Sequence, residues 1–409
     1  MNKTKSTLII GLLIIFGLSS VSAKSTQLAE NACERLIRLD LPETEVTLAK
    51  DIAAGKFVSP DGQTFEVPAF CRVQGVAKTN NESDIKFEVW LPSTNWNGRY
   101  FQYDAGGVID YIDYSGFAWR LNKGNVITQV DTIGTWADGK EKTNALTLLS
   151  DSAKVFDTTR GHRVAAKRAK AIATEYYQKA PQYSYFIGCS GGGYSALVEA
   201  QQNPDAWDGI LAGAPANYIL PILLGTYSWA GKQWENEAGR IPPEKLPLIQ
   251  KTALSFCTAD AHVVDGIATD PRFCRYDPLV LLCQDQDASD CLTTAQVETL
   301  RNIYQGPRLS NGEQIYPGYP PTMEAEISLP WDTGWISMVT GGKAVKGQQP
   351  SSYKAFKDVY RNLIKQGAPW SPETFDLDRD YPRAMIKRLS GQYLASIMNA
   401  DNQIGRAHV

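Results

Sequence analysis

The sequence feature that most constrains the fold of this chain is the stretch YFIGCSGGGYSALVEAQQNP, residues 185–204. An apolar run leads into GCSGG, and helix-forming residues follow until Asn203-Pro204. A serine between glycines at a strand-to-helix junction fits the G-x-S-x-G pattern, in which a sharp turn exposes the hydroxyl as a nucleophile. The pattern predicts that Ser190 is a catalytic nucleophile. The alternative is a glycine-rich turn in which Ser190 only caps the following helix.

The segments around this stretch predict an α/β protein. Apolar runs typical of strands occur at residues 85–92, 99–104, 125–131, 183–190 and 208–216. Residues 161–178 and 191–202 are rich in helix formers, and the first of these segments carries an amphipathic stripe. Strands that alternate with helices indicate a mostly parallel sheet, with the active-site loops at the carboxyl edge of its strands.

The chain changes character after Tyr218. Prolines, tryptophans and four closely spaced cysteines concentrate in the following segment, and the alternation of strands and helices stops. We therefore divide the mature chain into a catalytic domain at residues 24–218 and a large lid domain, inserted or appended, at residues 219–400.

The first 23 residues have the pattern of a secretory signal peptide. Lys3 and Lys5 precede an apolar run at residues 8–18, and small residues follow it up to Ala23. The alternative is a membrane anchor, but the run is shorter than the roughly 20 residues that span a bilayer. We expect cleavage after Ala23 and a secreted or periplasmic protein with no membrane attachment. The sequence does not distinguish the periplasm from the exterior.

The cysteines fit an oxidising compartment, where disulfides persist. The chain has seven of them. Neighbouring cysteines predict the pairs Cys257–Cys274 and Cys283–Cys291, and Cys33–Cys71 is the natural third pair. Metal ligation by thiolates is the rival interpretation, but the sequence contains no C-x-x-C pair. Cys189, beside the predicted nucleophile, is left without a partner.

A serine nucleophile that attacks a carbonyl needs donors for the oxygen that becomes negative. The N–H of Gly191, at the start of the helix, is one predicted donor. The second should come from the loop after an early strand, where Gly106 and Gly107 follow YFQYDA. The sequence therefore predicts an oxyanion hole made by Gly191 with Gly106 and Gly107.

At this point the residues resemble a known family. GCSGGGYSALVEAQQNPDAWDGILAGAPANY is similar to the tannase and feruloyl esterase family, and so are DIKFEVWLP, NWNGRYFQ, CLTTAQVETLRNIYQGP and FDLDRDY. The resemblance implies an α/β-hydrolase with a lid that hydrolyses galloyl or feruloyl esters through an acyl-enzyme on Ser190. It also implies that Cys189 is bonded to a cysteine that directly follows the catalytic histidine. The chemistry itself requires no cofactor.

The chain departs from the family pattern in two places. Tyr194 stands where family members commonly have arginine, which would alter substrate contacts near the nucleophile. The loop that begins at Cys257 resembles a calcium loop, with Asp265 and the carbonyls of Val263 and Ile267 at ligand positions. Thr258 and Ala261 stand where the family usually has aspartate, and Asp260 is one residue out of register. The sequence thus leaves a structural calcium ion and a metal-free disulfide loop as alternatives.

The sequence offers no clear base for Ser190. An α/β-hydrolase places its histidine downstream of the nucleophile, and we expect His162, upstream, to be a structural residue. His262 lies in the disulfide-bounded loop, and His408 lies in residues 404–409, which we expect to be non-native. Family similarity stops near Asn402, so we expect a chain truncated before the catalytic aspartate and histidine and inactive as written. The FDLDRDY aspartates, at 376, 378 and 380, are not expected to be the catalytic acid.

Taken together, these features favour a secreted serine esterase whose substrate is a small aromatic ester. The net charge of −3 argues against a nucleic-acid partner, because binding phosphates needs a basic surface. Lid aromatics such as Trp335 would form one wall of the substrate pocket, or would equally belong to the lid core. The alternatives are a non-catalytic binding protein of the same fold and another serine hydrolase, such as a polyester depolymerase or a peptidase. The sequence does not reveal the oligomeric state or the choice between galloyl and feruloyl esters.

Overall fold

The fold was examined in a computed structural model. The structure describes residues 32–80, 83–106, 112–131, 152–216, 221–257, 263–264, 267–325, 334–341, 349–364, 370–385, 388–389 and 392–393. The predicted signal peptide and the predicted non-native residues 404–409 lie outside these ranges.

A seven-stranded sheet dominates the first half of the chain. Its strands are β1 (Thr44–Ile52), β4 (Phe70–Asn80), β5 (Ser83–Pro92), β6 (Arg99–Asp104), β7 (Val126–Asp131), β8 (Tyr183–Cys189) and β9 (Gly209–Gly213), and a separate hairpin joins β2 (Gly55–Val58) to β3 (Thr64–Val67). The spatial order is β1-β4-β5-β7-β6-β8-β9. Strands β4, β7, β6, β8 and β9 run in one direction, whereas β1 and β5 run in the other.

This topology confirms the predicted mostly parallel α/β sheet. The register of the parallel pair β6–β8 places Asp104 beside Gly188. The loop after β6 and the GCSGG turn after β8 therefore meet at one edge of the sheet, where the active sites of open α/β sheets form. The observed strands β5 to β9 fall on the predicted ones within a few residues. Strands β1 to β4 are additional elements that the sequence pattern did not predict.

In the described part of the chain, eight α-helices accompany the strands, after a helical segment at residues 32–35. They are α1 (Tyr114–Leu121), α2 (Ser152–Tyr177), α3 (Gly191–Gln202), α4 (Ser228–Lys232), α5 (Leu246–Cys257), α6 (Thr294–Gln305), α7 (Ser351–Ile364) and α8 (Leu377–Met385). Shorter 3₁₀ turns occupy Leu36–Arg38, Pro204–Ala206, Gln233–Glu235, Glu237–Gly239, Pro243–Lys245, Pro271–Phe273, Pro278–Leu281 and Pro372–Thr374, and π-helical turns occupy Pro221–Tyr227 and Ile336–Thr340. Helix α2 begins nine residues before its predicted start. No helix in the described ranges is long and apolar enough to cross a membrane.

The two faces of the sheet are covered differently. On one face, α2 presents small side chains, among them Ala165 and Ala169, to strand residues such as Phe87 and Phe186. Small side chains let the helix approach the sheet closely, and burial of this apolar area stabilises the layer. On the other face, α1 and the β2–β3 hairpin enclose an aromatic cluster around Trp90, whose ring contacts those of Phe57, Phe70, Tyr114 and Phe117.

Residues 221–385 form a mainly helical region, which includes most of the predicted lid domain. One apolar cluster lies within it, with Leu246 and Ile249 of α5 against Leu300 of α6. A second cluster joins Tyr194 and Val198 of α3 to side chains of this region, including Phe356 and Tyr360 of α7. The helical region therefore packs directly on the helix that follows the predicted nucleophile. The predicted boundary near residue 218 lies outside the described residues.

Three disulfides are present, and they are the predicted pairs Cys33–Cys71, Cys257–Cys274 and Cys283–Cys291. The first attaches the N-terminal segment to β4. The other two close small loops of the helical region, where the short hairpin of β10 (Val263–Val264) and β11 (Ile267–Ala268) lies. Another short hairpin, β12 (Arg388–Leu389) with β13 (Gln392–Tyr393), lies near the end of the described chain.

Candidate active site

Ser190 occupies a strained turn between β8 and α3. Its backbone dihedrals are φ 62° and ψ −116°, a region that non-glycine residues rarely adopt and that is found mostly at functional sites. The turn is held by three backbone hydrogen bonds. The Ser190 N–H donates to Gly213 O (3.0 Å), and the Ser190 carbonyl accepts from the N–H groups of Tyr194 (3.1 Å) and Ala216 (2.9 Å). The residue is exposed, so this geometry presents its hydroxyl to solvent.

The flanking glycines are required by close backbone approaches. A Cβ at Gly188 would lie closer than 3.0 Å to the carbonyl of Gly192, and a Cβ at Gly192 would lie equally close to the carbonyl of Asp104. A Cβ at Gly193 would meet the carbonyl of Gly213. Since backbone atoms cannot move aside as flexible side chains do, β6, β8, β9 and α3 can converge here only without these side chains.

The predicted oxyanion donors lie beside the turn. Gly191 is the first residue of α3, where backbone amides have no intrahelical acceptor. Gly106 has φ +89°, and a Cβ on it would lie 3.5 Å from the Ser190 Cβ. Its N–H, however, donates to Asp104 Oδ1 at 2.8 Å. The amide of Gly106 is therefore already engaged in this structure, and Gly107 lies outside the described residues.

A buried pair lies beneath the turn. His162 on α2 places Nε2 3.2 Å from Oδ2 of Asp104, in a bent rather than linear alignment, and both side chains are almost fully buried. Burial raises the pKa of Asp104, but the contact with His162, including the charge of that ring when protonated, the Gly106 N–H and the Ser195 hydroxyl outweigh burial and leave the pKa below its ordinary value. His162 also packs edge-on against Phe186. The predicted structural histidine is thus a buried residue joined to a site carboxylate.

Asp104 and its neighbour Gln102 were missed by sequence reasoning. Both are polar residues that alternate with aromatic ones in RYFQYD, on the buried face of β6. A polar residue at a core-facing strand position needs a partner, and that was the available signal. The sequence alone could not identify the partner, which lies about 60 residues away on α2.

Comparisons with known proteins identify the family of this chain. Residues 71–401 match the family described as Tannase and feruloyl esterase. The chain belongs to this family. It is 36% identical over 388 residues to an uncharacterized esterase of Xanthomonas campestris pv. campestris, covering 92% of this chain and 64% of that protein. It is 27% identical to a probable feruloyl esterase B-1 of Aspergillus terreus, over 90% of this chain and 69% of that one.

The structural comparison gives the same fold. The chain resembles the crystal structure of feruloyl esterase B from Aspergillus oryzae with a TM-score of 0.73 and 21% identity, over 92% of this chain and 72% of that chain. It also resembles the tannin acyl hydrolase of Aspergillus niger, with a TM-score of 0.59 and 17% identity, over 91% and 67%. At these identities the likeness establishes the α/β-hydrolase-like fold of the family.

Two family positions can be placed in this structure. Tyr194, at the position where the resemblance predicts an arginine, is buried on α3 in the apolar cluster with Leu224 and Phe356. An aromatic residue fits there because its neighbours are apolar, so Tyr194 contributes to the contact between α3 and the helical region. Cys189 is exposed and lies outside the three disulfides.

Trp335 lies in the core of the helical region. Its side chain is 7% exposed, and its ring centre lies 6.2 Å from that of Tyr304 and 6.1 Å from that of Tyr319. Of the two predicted roles, the structure shows the core residue and not the pocket wall, because aromatic neighbours enclose the ring. Asp380, which was not expected to be a catalytic acid, pairs with Arg379.

The calcium prediction remains a prediction. Asp265 lies outside the described residues, and Val263 and Ile267 belong to the short β10–β11 hairpin. Those two residues offer only backbone carbonyls, which do not by themselves form a calcium site. Over the part of the chain that the structure describes, no three His, Cys, Asp or Glu side chains cluster to hold a metal ion.

Proposed function

We propose that this protein is a secreted serine esterase that hydrolyses phenolic acid esters. The observation that carries the proposal is the strained, exposed Ser190 at the β8–α3 turn, next to the amide at the start of α3. That arrangement suits acyl transfer, in which a hydroxyl attacks a carbonyl and amides stabilise the resulting oxyanion. The names of the relatives, feruloyl esterase and tannin acyl hydrolase, support a phenolic acid ester as the substrate.

In the proposed reaction, Ser190 Oγ bonds to the ester carbonyl carbon while a base takes its proton. The tetrahedral oxyanion lies at the Gly191 amide, with Gly107 as the second donor because the Gly106 amide is engaged. When this intermediate collapses, the C–O bond to the alcohol breaks and the alcohol takes the proton from the base. Water then attacks the acyl-enzyme, and the acid leaves.

We assign the base to a histidine that lies outside the residues that the structure describes. Within those ranges His162 is the single histidine, and it faces Asp104 and Gln102 in the core. The chain spans 64% of the length of the Xanthomonas relative, so the activity is proposed for the whole protein. Export is supported by the signal-peptide pattern and the three disulfides.

The test compares Ser190→Ala with Ser255→Ala, a control at an exposed serine on α5. Hydrolysis of methyl ferulate, methyl gallate and an unactivated amide is followed for each variant and for the parent protein, which here means the whole unsubstituted protein for which the activity is proposed. Loss of a triad nucleophile costs about 10⁶-fold in kcat, so we expect ester hydrolysis to fall at least about 1,000-fold in Ser190→Ala and to stay unchanged in Ser255→Ala. Equal activity in the two variants would refute the role of Ser190.

A fluorophosphonate probe separates the alternatives. We expect it to modify the parent protein at Ser190, identified by peptide mass spectrometry. Binding of ferulate without hydrolysis or labelling would overturn the proposal in favour of a non-catalytic binding protein. Preferential cleavage of the amide would favour a peptidase.

A further inference from the structure

We propose that Asp104 is a positioning residue for the reaction, and that His162 lies against it as a neutral imidazole protonated on Nε2, the nitrogen 3.2 Å from the carboxylate. In this arrangement Asp104 fixes the loop after β6 against the nucleophile helix. The kinetic part of this inference rests on the proposed esterase function. The hydrogen-bond arrangement does not depend on that function.

The Asp104 carboxylate connects three elements of the site. Its Oδ1 accepts the Gly106 N–H at 2.8 Å, which fixes the start of the loop after β6. Its Oδ2 lies 3.2 Å from His162 Nε2 on α2. The Ser195 hydroxyl, on α3 one turn beyond the nucleophile, helps to lower the pKa of this carboxylate and donates to the Gly191 carbonyl oxygen at 3.4 Å. A single side chain thus holds the loop, the nucleophile helix and the helix behind them in one arrangement.

This connection lies next to the reacting atoms. The position of a Cβ on Gly106 is 3.5 Å from the Ser190 Cβ, and the position of a Cβ on Gly192 is 3.1 Å from the Asp104 Cβ. A shift of Asp104 would therefore move the loop relative to Ser190. Errors of about 1 Å in the placement of reacting groups cost on the order of 100-fold in rate.

The hydrogen bonds around Gln102 determine the tautomer of His162. Gln102 Nε2 lies 3.1 Å from the His162 carbonyl oxygen, which can only accept, so the nitrogen end of the amide must face that way. Gln102 Oε1 consistently accepts from the Tyr100 hydroxyl at 2.8 Å. The same Gln102 nitrogen lies 3.2 Å from His162 Nδ1. Nδ1 is therefore the acceptor, and the ring proton is on Nε2, the nitrogen that lies 3.2 Å from Asp104 Oδ2.

Solution NMR of the protein labelled with ¹⁵N-histidine tests this arrangement directly. The chain contains only three histidines, and His262→Gln and His408→Gln assign the other two signals. We expect His162 to remain a neutral Nε2–H tautomer between about pH 5 and 8, where a free histidine titrates. An Nδ1–H tautomer, or titration like that of a free histidine, would overturn the proposal even if the protein hydrolyses no ester.

Kinetics of matched variants test the positioning role. In Asp104→Asn one amide end can still accept from Gly106, but the NH₂ end meets the Nε2–H of His162, which places two donors face to face. We expect kcat for methyl ferulate to fall about 10- to 100-fold with KM little changed, since misplacing an oxyanion donor acts on the transition state. The control is Glu199→Gln, a buried carboxylate at the far end of α3 that accepts from Asn203 and Trp207.

Substitutions of His162 provide a second, independent comparison. His162→Gln keeps a donor for Asp104 and an acceptor for Gln102, whereas His162→Leu removes both. We expect His162→Gln to retain most of the kcat. In His162→Leu we expect kcat to fall by about the same factor as in Asp104→Asn. If His162→Gln and His162→Leu had equal kcat, the role of His162 would be purely structural. If Asp104→Asn and Glu199→Gln lost equal kcat at matched folded fractions, the role of Asp104 would be purely structural. If the parent protein is inactive, the proposed function fails and the NMR result alone decides the tautomer.

Discussion

Two buried carboxylates in the same sheet, Glu88 and Asp104, are held in opposite ways. They lie on β5 and β6, which are separated by β7 alone, and both are nearly inaccessible to solvent. Glu88 is paired with a permanent cation, since Arg72 Nε and Nη2 donate to it at 2.7 and 3.0 Å. Asp104 instead faces a histidine, a backbone amide and a hydroxyl. The partner of Glu88 is a permanent cation, whereas the histidine beside Asp104 carries a charge only when it is protonated.

The origins of the donors differ as well. Glu88 also accepts from Gln74, Trp90 and Tyr114, at 2.9, 2.6 and 3.3 Å, all of which belong to the sheet or to α1. The donors to Asp104 belong instead to the elements that surround Ser190. Buried polar groups cost free energy unless they are satisfied, so both networks stabilise the fold. Only the Asp104 network can also change the geometry of the nucleophile.

The largest expected effect follows from removing Glu88. In Glu88→Leu the Arg72 guanidinium loses its partner in a site where its side chain is only 14% exposed. Breaking a buried ion pair from one side costs about 3–5 kcal/mol, and we expect a loss of this size in the free energy of unfolding measured by urea titration. Activity per folded molecule should be unchanged. Lost activity with an unchanged unfolding midpoint would contradict the division between the two carboxylates.

The double variant Arg72→Met/Glu88→Met is the matched control. It removes both charges together and leaves no uncompensated cation. Replacing a buried pair with apolar side chains is often close to neutral, so we expect the double variant to be more stable than Glu88→Leu. A double variant as unstable as Glu88→Leu would show that the remaining polar donors, and not the charge of Arg72, dominate the cost.

A smaller effect is expected from Gly192→Ala, which acts on the Asp104 side of the comparison. The added Cβ would lie closer than 3.0 Å to the Asp104 carbonyl and 3.1 Å from the Asp104 Cβ. Overpacking of this kind costs about 1–3 kcal/mol, and here the displaced residue is the one that holds the loop after β6. We expect a lower unfolding midpoint together with a selective loss of kcat. Gly62→Ala is the control for destabilisation alone: its Cβ would meet nothing within 4 Å, but its φ of +84° strains any side chain, so the midpoint should fall while kcat per folded molecule stays unchanged.

The pH dependence of stability offers a third test. The pKa of Asp104 in the folded protein lies below its ordinary value of 3.8, so the unfolded chain binds the proton more readily. The stabilising contribution of the carboxylate is therefore fully present above about pH 5 and is lost as the pH falls through the folded pKa. We expect the difference in unfolding free energy between the parent protein and Asp104→Asn to be constant at neutral pH and to shrink below pH 4. A difference that grows on acidification would mean that the pKa is raised.

The turn at Ser190, the predicted nucleophile, was predictable because local sterics determine it. A serine on a strained turn needs glycines around it, and those glycines are visible in GCSGG. Two disulfide pairs followed from short spacings, and Cys33–Cys71 was the natural third pair once export was expected. The Asp104–His162 contact was not predictable, because β6 and α2 meet only through the packing of the whole sheet. The position of Trp335 was ambiguous for the same reason, since a tryptophan suits a pocket wall or a core and only its neighbours decide.

The smallest and most discriminating effect compares two hydroxyl donors. Tyr114→Phe removes the longest hydrogen bond to Glu88, and Ser195→Ala removes the hydroxyl that helps to lower the pKa of Asp104 and donates to the Gly191 carbonyl oxygen. Each carboxylate keeps its other donors, so each variant should lose only about 0.5–1.5 kcal/mol of unfolding free energy. We expect kcat to fall severalfold in Ser195→Ala and to stay unchanged in Tyr114→Phe. Equal changes in kcat at equal stability would contradict the proposed difference between Glu88 and Asp104, because both carboxylates would then act on the fold alone.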